Sequence, residues 1–149
     1  MSKGATFESD MLALIFLATA IANLADNAAA SPLTNLFVAL HTADPGEAGN
    51  QSTNEATYTG YARVAVARGS GGWTKSGASP TQVANTAQVT FGACTAGSNT
   101  ITHVSVGVAS SGATKILYSA ALTSPVGGLI VNPGITPDFA AGQLAFTEQ

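Results

Sequence analysis

At 149 residues the chain is one domain's worth, and at that length folding buries roughly 68–70% of the unfolded surface, so a core forms without disulfides. Charged residues make up only 9% of the chain, against ~25% in an ordinary globular domain, and the net charge is −3. That shortage argues against a solitary, highly soluble enzyme and fits a subunit partly covered by copies of itself or by a neighbour. The five basic residues, Lys3, Arg63, Arg68, Lys75 and Lys115, are scattered. Phosphate backbones need several cations on one face, so direct nucleic-acid binding is excluded.

Residues 1–6 read as an arm, and a helix is expected over residues 7–24. Leu14, Leu17, Ile21 and Leu24 form an apolar stripe at spacings of three and four, which Leu12, Ile15 and Phe16 widen. A helix so broadly apolar needs cover on more than one side, from the chain's own β core or from a symmetry mate as well. Its apolar run, Met11 to Ala25, is shorter than the ~20 residues that cross a bilayer and is bracketed by Asp10 and Asp26. No membrane span is expected. Glu8 and Asp10 also give the leading segment the wrong charge for a secretory signal.

Leu36, Phe37, Val38 and Leu40 read as a buried strand, after which Asp44-Pro45-Gly46 turns the chain into a polar loop from Thr42 to about Thr59. His41 and Asp44 are spaced to hydrogen-bond across that turn and fix it. Tyr61 to Arg68 alternates as a half-buried strand, and Gly69-Ser-Gly-Gly72 then interrupts before Trp73-Thr-Lys75. Gln82 to Phe91 is extended. Residues 100–108 alternate most clearly, with Thr100, Thr102, Val104, Val106 and Val108 on one face and Ile101, His103, Ser105 and Gly107 on the other. Ser110-Ser-Gly112 gives a hairpin turn into the strand Lys115 to Leu122. Residues 127–131, 135–136 and 143–147 complete the strands, each set off by Pro or Gly.

Eight or so short strands with turn signals between them and no interleaved helix give an antiparallel β-sandwich or jelly roll with an N-terminal apolar α-helix. The expected division is 1–32 for arm and helix and 33–149 for the β-sandwich, a single folding unit.

Catalytic chemistry finds no motif. His41 and His103 stand in no metal-ligand spacing, no Ser lies in G-x-S-x-G, and no Gly-rich run has the setting of a phosphate loop. Asp44, Glu47, Glu55 and Asp138 are explained as loop solvation or turn formation, and the Asp44, Glu47, Asn50, Glu55 loop lacks EF-hand spacing. No catalytic, cofactor or metal site is expected. Cys94, in the small-residue run Gly92 to Gly97, reads as a buried spacer, since no His or Lys beside it in sequence lowers its pKa.

Several segments together carry a resemblance: Leu40-His-Thr-Ala-Asp-Pro-Gly-Glu-Ala-Gly49, Asn54-Glu55, Tyr58, Tyr61-Ala-Arg63, Trp73, Val89-Thr-Phe91, Ile101-Thr-His-Val104, Ser111-Gly112, Leu117-Tyr118 and Ile135 to Gly142. In order and spacing, over roughly residues 33 to 147, the chain resembles a family of small tailed-bacteriophage virion proteins, variously described as capsid decoration, head fibre or tail fibre proteins. The resemblance implies a structural virion protein rather than an enzyme. Its first implied role is a decoration or cement subunit at the capsid surface, a homo-oligomer that bridges capsomers by binding the phage's major capsid protein. The alternative is a head or tail fibre component involved in host attachment. The expected contact residues are Leu14, Leu17, Ile21 and Leu24 of the helix, with Tyr58, Tyr61 and Arg63 as anchors, because aromatic and Arg side chains dominate interface energetics.

Overall fold

The computed structural model describes residues 5–21, 33–78 and 81–148. In chain order these form α1 (Ala5–Leu17), β1 (Asn35–His41), β2 (Val64–Ala67), β3 (Trp73–Ser76), β4 (Thr81–Asn85), β5 (Val89–Thr90), β6 (Asn99–Ile101), β7 (His103–Gly107), β8 (Ile116–Ala121), β9 (Leu129–Val131), β10 (Asp138–Phe139) and β11 (Ala145–Glu148). The fold is mainly β with antiparallel pairing and one N-terminal helix, as the alternation led us to expect. Three expected strands come out differently, the first being the run 100–108, which breaks at Thr102 into β6 and β7. The extended run 82–91 breaks into β4 and β5, and the strand expected at 135–136 lies instead at Asp138–Phe139.

Contacts divide the chain into two compact units. The described residues of 1–35, 67–89 and 139–149 form one, and 36–66 with 90–138 form the other. The helix therefore shares a unit with three strands.

In the first unit the sheet order is β11-β4-β3. Alternation puts Trp73, Thr81, Val83, Asn85 and Phe146 in the buried layer, and α1 lies against the same strands with Leu12 and Phe16 fully buried. Phe16 meets Trp73 edge-on at 4.8 Å between ring centroids and stacks on Phe146 at 5.5 Å. Such aromatic pairs add about 0.5–1.5 kcal/mol each beyond the area they bury. The helix thus spends its Leu12–Phe16 face on its own chain, while Leu14 and Leu17 are half-buried.

The helix ends at Leu17, short of the expected 24, and a residue distant in sequence closes it. Arg68 donates through Nη2 to the Leu14 carbonyl at 2.5 Å and through Nε to that of Ile15 at 2.7 Å, covering the last turn's unpaired acceptors with a cation. Its own N–H holds the Thr34 carbonyl at 2.8 Å. Just past the helix Ala18 takes a left-handed conformation, φ 56°, and the Thr19 N–H reaches back to the Ala13 carbonyl at 3.1 Å. Ile21 lies beyond the helix and is half-buried; Leu24 lies outside the described residues.

In the second unit the sheet order is β2-β1-β7-β8. Between β1 and β7, Val38↔Val106 and Leu40↔Val104 form rungs on one face, and Phe37↔Gly107, Ala39↔Ser105 and His41↔His103 form rungs on the other. All of Val38 to His41 and Val104 to Gly107 is buried, so both faces are covered. Beyond a break at Thr102, β6 pairs with β9. β8 pairs with β7 and β9 with β6, Ala121 standing opposite His103 and Leu129 opposite Ile101. Between them Leu122 to Gly128 swings out and returns at Gly128, φ 96°, where an added Cβ would stand 2.6 Å from the Ile101 carbonyl oxygen.

An Ala in the left-handed region costs about 1 kcal/mol that glycine avoids. Ala18→Gly is expected to raise the thermal unfolding midpoint by a few degrees, measured by calorimetry, with no change in helical circular dichroism.

Candidate functional site

The second covered face of β1 and β7 is roofed by the chain's own polar loop. On that face stand His41, Ser105 and Gly107, residues that leave either a polar group or an empty position. The loop supplies the complement. Gln51 is fully buried; its Nε2 donates to the Phe37 carbonyl at 2.9 Å, and its amide fills the place a Gly107 side chain would take, an added Cβ lying 2.1 Å from Gln51 Cδ. Glycine inside a strand here marks a close approach.

His41 has one ring nitrogen against an obligate acceptor, since Nδ1 lies 2.8 Å from the Thr53 carbonyl oxygen. The proton therefore sits on Nδ1, and Nε2 accepts from the Ser105 hydroxyl at 2.7 Å. Burial pulls the His41 pKa below its ordinary 6.5, while the Thr53 carbonyl and Glu55 oppose that shift. The loop backbone joins the strand as well: Thr42 N–H bonds the Asn54 carbonyl at 2.8 Å and Ala56 N–H the Leu40 carbonyl at 2.9 Å.

Arg63 clamps this roof. Its side chain is 2% exposed and forks onto Glu55, Nε to Oε1 at 2.6 Å and Nη2 to Oε2 at 2.7 Å. Nη1 also donates to the Ala109 carbonyl and Thr114 Oγ1, both at 3.1 Å, and to Gln51 Oε1 at 3.4 Å; Nη2 donates to the Gly112 carbonyl at 2.8 Å and Ser52 Oγ at 3.2 Å. One guanidinium so joins residues 51–55 to the 109–114 turn. The planar five-donor fork of arginine suits this, and a lysine would not reproduce it. The hydrogen bonds to Glu55 raise the Arg63 pKa above its usual range. The Tyr61 hydroxyl, whose pKa burial raises, donates to Glu55 Oε1 at 2.9 Å and accepts from the Leu40 N–H at 3.1 Å.

The three residues expected as interface anchors are thus brought together inside the unit. Tyr58 is buried, with its hydroxyl donating to the Gly92 carbonyl at 3.0 Å, its ring edge-on to Tyr61 at 5.5 Å and its pKa pushed up to about 12 by burial. Tyr61 is half-buried and Arg63 is buried. The His41–Asp44 hydrogen bond expected from spacing does not form. Asp44 Oδ1 accepts from Gly46 N–H at 2.8 Å and closes its own turn, a shorter loop than the reach to His41. Gln51, Ser105 and Thr114 carry the network without having been singled out from sequence; Gly107, a glycine in the cleanest alternating strand, was the visible signal. Cys94 is buried, its Sγ 3.5 Å from the carbonyl oxygens of Ala96 and Gly97.

The Ser105–His41 contact has the atoms of a nucleophile and base, yet both residues are 0% exposed and the third partner is a carbonyl rather than a carboxylate. Among the described residues no three His, Cys, Asp or Glu side chains come together as a metal site, and no helix is long and apolar enough to cross a membrane.

These features define a mainly antiparallel β protein whose polar side chains fasten a long loop onto a sheet. A family model described as Podophage GP4 fiber I protein gp80 matches residues 14–147, and the chain belongs to that family. The resemblance to phage virion proteins is thereby borne out, and the family points to a virion location. No curated protein matches the chain.

Removing one member of a buried ion pair leaves the other uncompensated and typically costs about 3–5 kcal/mol. Arg63→Ala is expected to lose that much in urea unfolding, and the double variant Arg63→Met with Glu55→Leu to recover a large part of it. The His41 pH dependence has a fixed sign. Unfolded, the imidazole titrates near 6.5; folded, it titrates lower, so below neutrality the unfolded chain binds more protons. Stability is fully present above 6.5, falls as pH drops through 6.5, and levels off below the folded value. Denaturant midpoints at pH 7.5 and 5.5 are expected to show this fall, and its His41 part disappears in His41→Gln.

Proposed function

We propose that this chain is a structural, non-enzymatic component of a tailed-phage fibre, held among copies of itself and neighbouring virion subunits, and that it does not itself read a host glycan. The observation that carries the fibre role is the family match over residues 14–147, whose description agrees with a fibre better than with a capsid cement. Contact with the major capsid protein belongs to the cement role and is the rival outcome.

Two further features support the reading. Sugar recognition uses exposed rings, and every aromatic whose side chain is described is buried or half-buried; among the described residues the exposed large apolar ones are Leu33, Val126, Ile130 and Ile135. From Ser76 to Thr147 the sequence holds only Lys115 and Asp138 as charged residues, a sparseness that suits a covered surface.

Purified particles carrying an epitope-tagged chain, imaged by cryo-electron microscopy with gold-labelled antibody, are expected to show label on fibres at a few to a few dozen copies. Label in hundreds over the capsid lattice contradicts the fibre role and restores the cement one.

A further inference from the structure

We infer that the N-terminal half of α1 is a lid on the β11-β4-β3 sheet, lifting from the strands about the end that Arg68 closes, and that Glu8 is the residue that keeps it releasable. The inference concerns the motion of one helix and holds for a fibre or a capsid position alike.

Glu8, Leu12 and Phe16 recur at spacings of four, which puts them on one face of α1, and all three are buried. Leu12 and Phe16 suit that face. Glu8 does not, because its Oε2 is sealed from solvent and has no hydrogen-bond partner. A second such atom, Trp73 Nε1, belongs to a strand that the helix packs against. Among the described residues these are the two buried side-chain polar atoms left without a partner, and both fall where α1 meets its sheet. A buried carboxylate loses hydration that only a hydrogen bond or a cation restores. Glu8 lies near the start of α1, where the helix dipole favours a negative charge, but that effect is weaker than desolvation. Lifting the start of the helix returns water to the carboxylate and offsets part of the apolar contact that the motion gives up.

The two ends of α1 are held unequally. At the C-terminal end Phe16 packs against both Trp73 and Phe146, and Arg68 donates to the carbonyls of Leu14 and Ile15. Toward the N-terminal end the helix is tied by Lys75, whose Nζ donates to Ser9 Oγ at 2.8 Å in an exposed contact that water readily replaces. The C-terminal end is therefore the hinge and the N-terminal half the moving part. Opened, the lid bares Leu12 and part of the apolar layer of the strands while the sheet stays paired.

Amide hydrogen exchange of the full-length chain tests the lid. The amides of Leu12 and Ala13, which bond to the Glu8 and Ser9 carbonyls within the helix, are expected to exchange well before those of Val83 and Ala84 in the central strand. Phe16 and Leu17, at the hinge, are expected to exchange more slowly than Leu12. Glu8→Leu is expected to slow Leu12 and Ala13 by roughly tenfold or more, since no carboxylate then gains by opening. Glu8→Gln, which keeps the shape and removes the charge, carries the same expected sign. A purely dipolar role for Glu8 predicts the opposite. Leu and Glu have similar helix propensities, so loss of a favourable charge at the helix start would speed exchange in Glu8→Leu. Wild-type Leu12 and Ala13 amides as slow as that of Val83 overturn the proposal, as do Glu8 variants in which they exchange as fast as in the wild type or faster.

Discussion

The second unit depends on one ion pair, between the buried Arg63 and the half-buried Glu55. Glu55 and Arg63 lie eight residues apart, and the Arg63 fork passes beyond Glu55 to the carbonyls of Ala109 and Gly112. Without that link the segment 51–55 has few apolar contacts to hold it; with it, a polar loop becomes the second cover of a sheet. The requirement propagates inward. A roof of amides and carboxylates needs a face that hydrogen-bonds or yields space, and β1 and β7 offer His41, Ser105 and Gly107 there while keeping Val38, Leu40, Val104 and Val106 for the apolar side. Buried polar networks of this kind contribute only when every member is satisfied, which is why Gln51, Tyr61 and Thr114 all take part.

The first unit solves a similar problem with fewer parts. A single helix covers a three-stranded sheet through Leu12, Phe16, Trp73 and Phe146, and a single arginine, Arg68, closes the helix. In a chain with so few charges, two of the five cations are thus spent inside the fold. The surface left over carries few charges and much Ser, Thr, Ala and Gly, which suits the proposed contact with other virion subunits.

Much of the fold was legible in the sequence because it rests on local periodicity. The alternation at 100–108 located β6 and β7, Ser110-Ser-Gly112 located the turn into β8, and the apolar run 36–40 located β1. Long-range partners were not legible. The helix end at Leu17 is set by Arg68, some fifty residues on, while the apolar stripe itself runs to Leu24. Nearness in sequence pointed His41 to Asp44, whereas its partners are Thr53 and Ser105, the second 64 residues away. Tyr58, Tyr61 and Arg63 stood out as residue types that anchor interfaces, and the same properties, large area and many donors, serve here to anchor a loop.

The central claim is that the loop around residues 51–56 is part of the folded sheet rather than an adornment of it. Amide hydrogen exchange at neutral pH tests this most directly. The account predicts that Thr42, Gln51 and Ala56, whose N–H groups are bonded to Asn54, Thr114 and Leu40, exchange as slowly as the amides of β1 and β7. Exchange of those three at the rate of exposed loop amides, with β1 and β7 still protected, would contradict it.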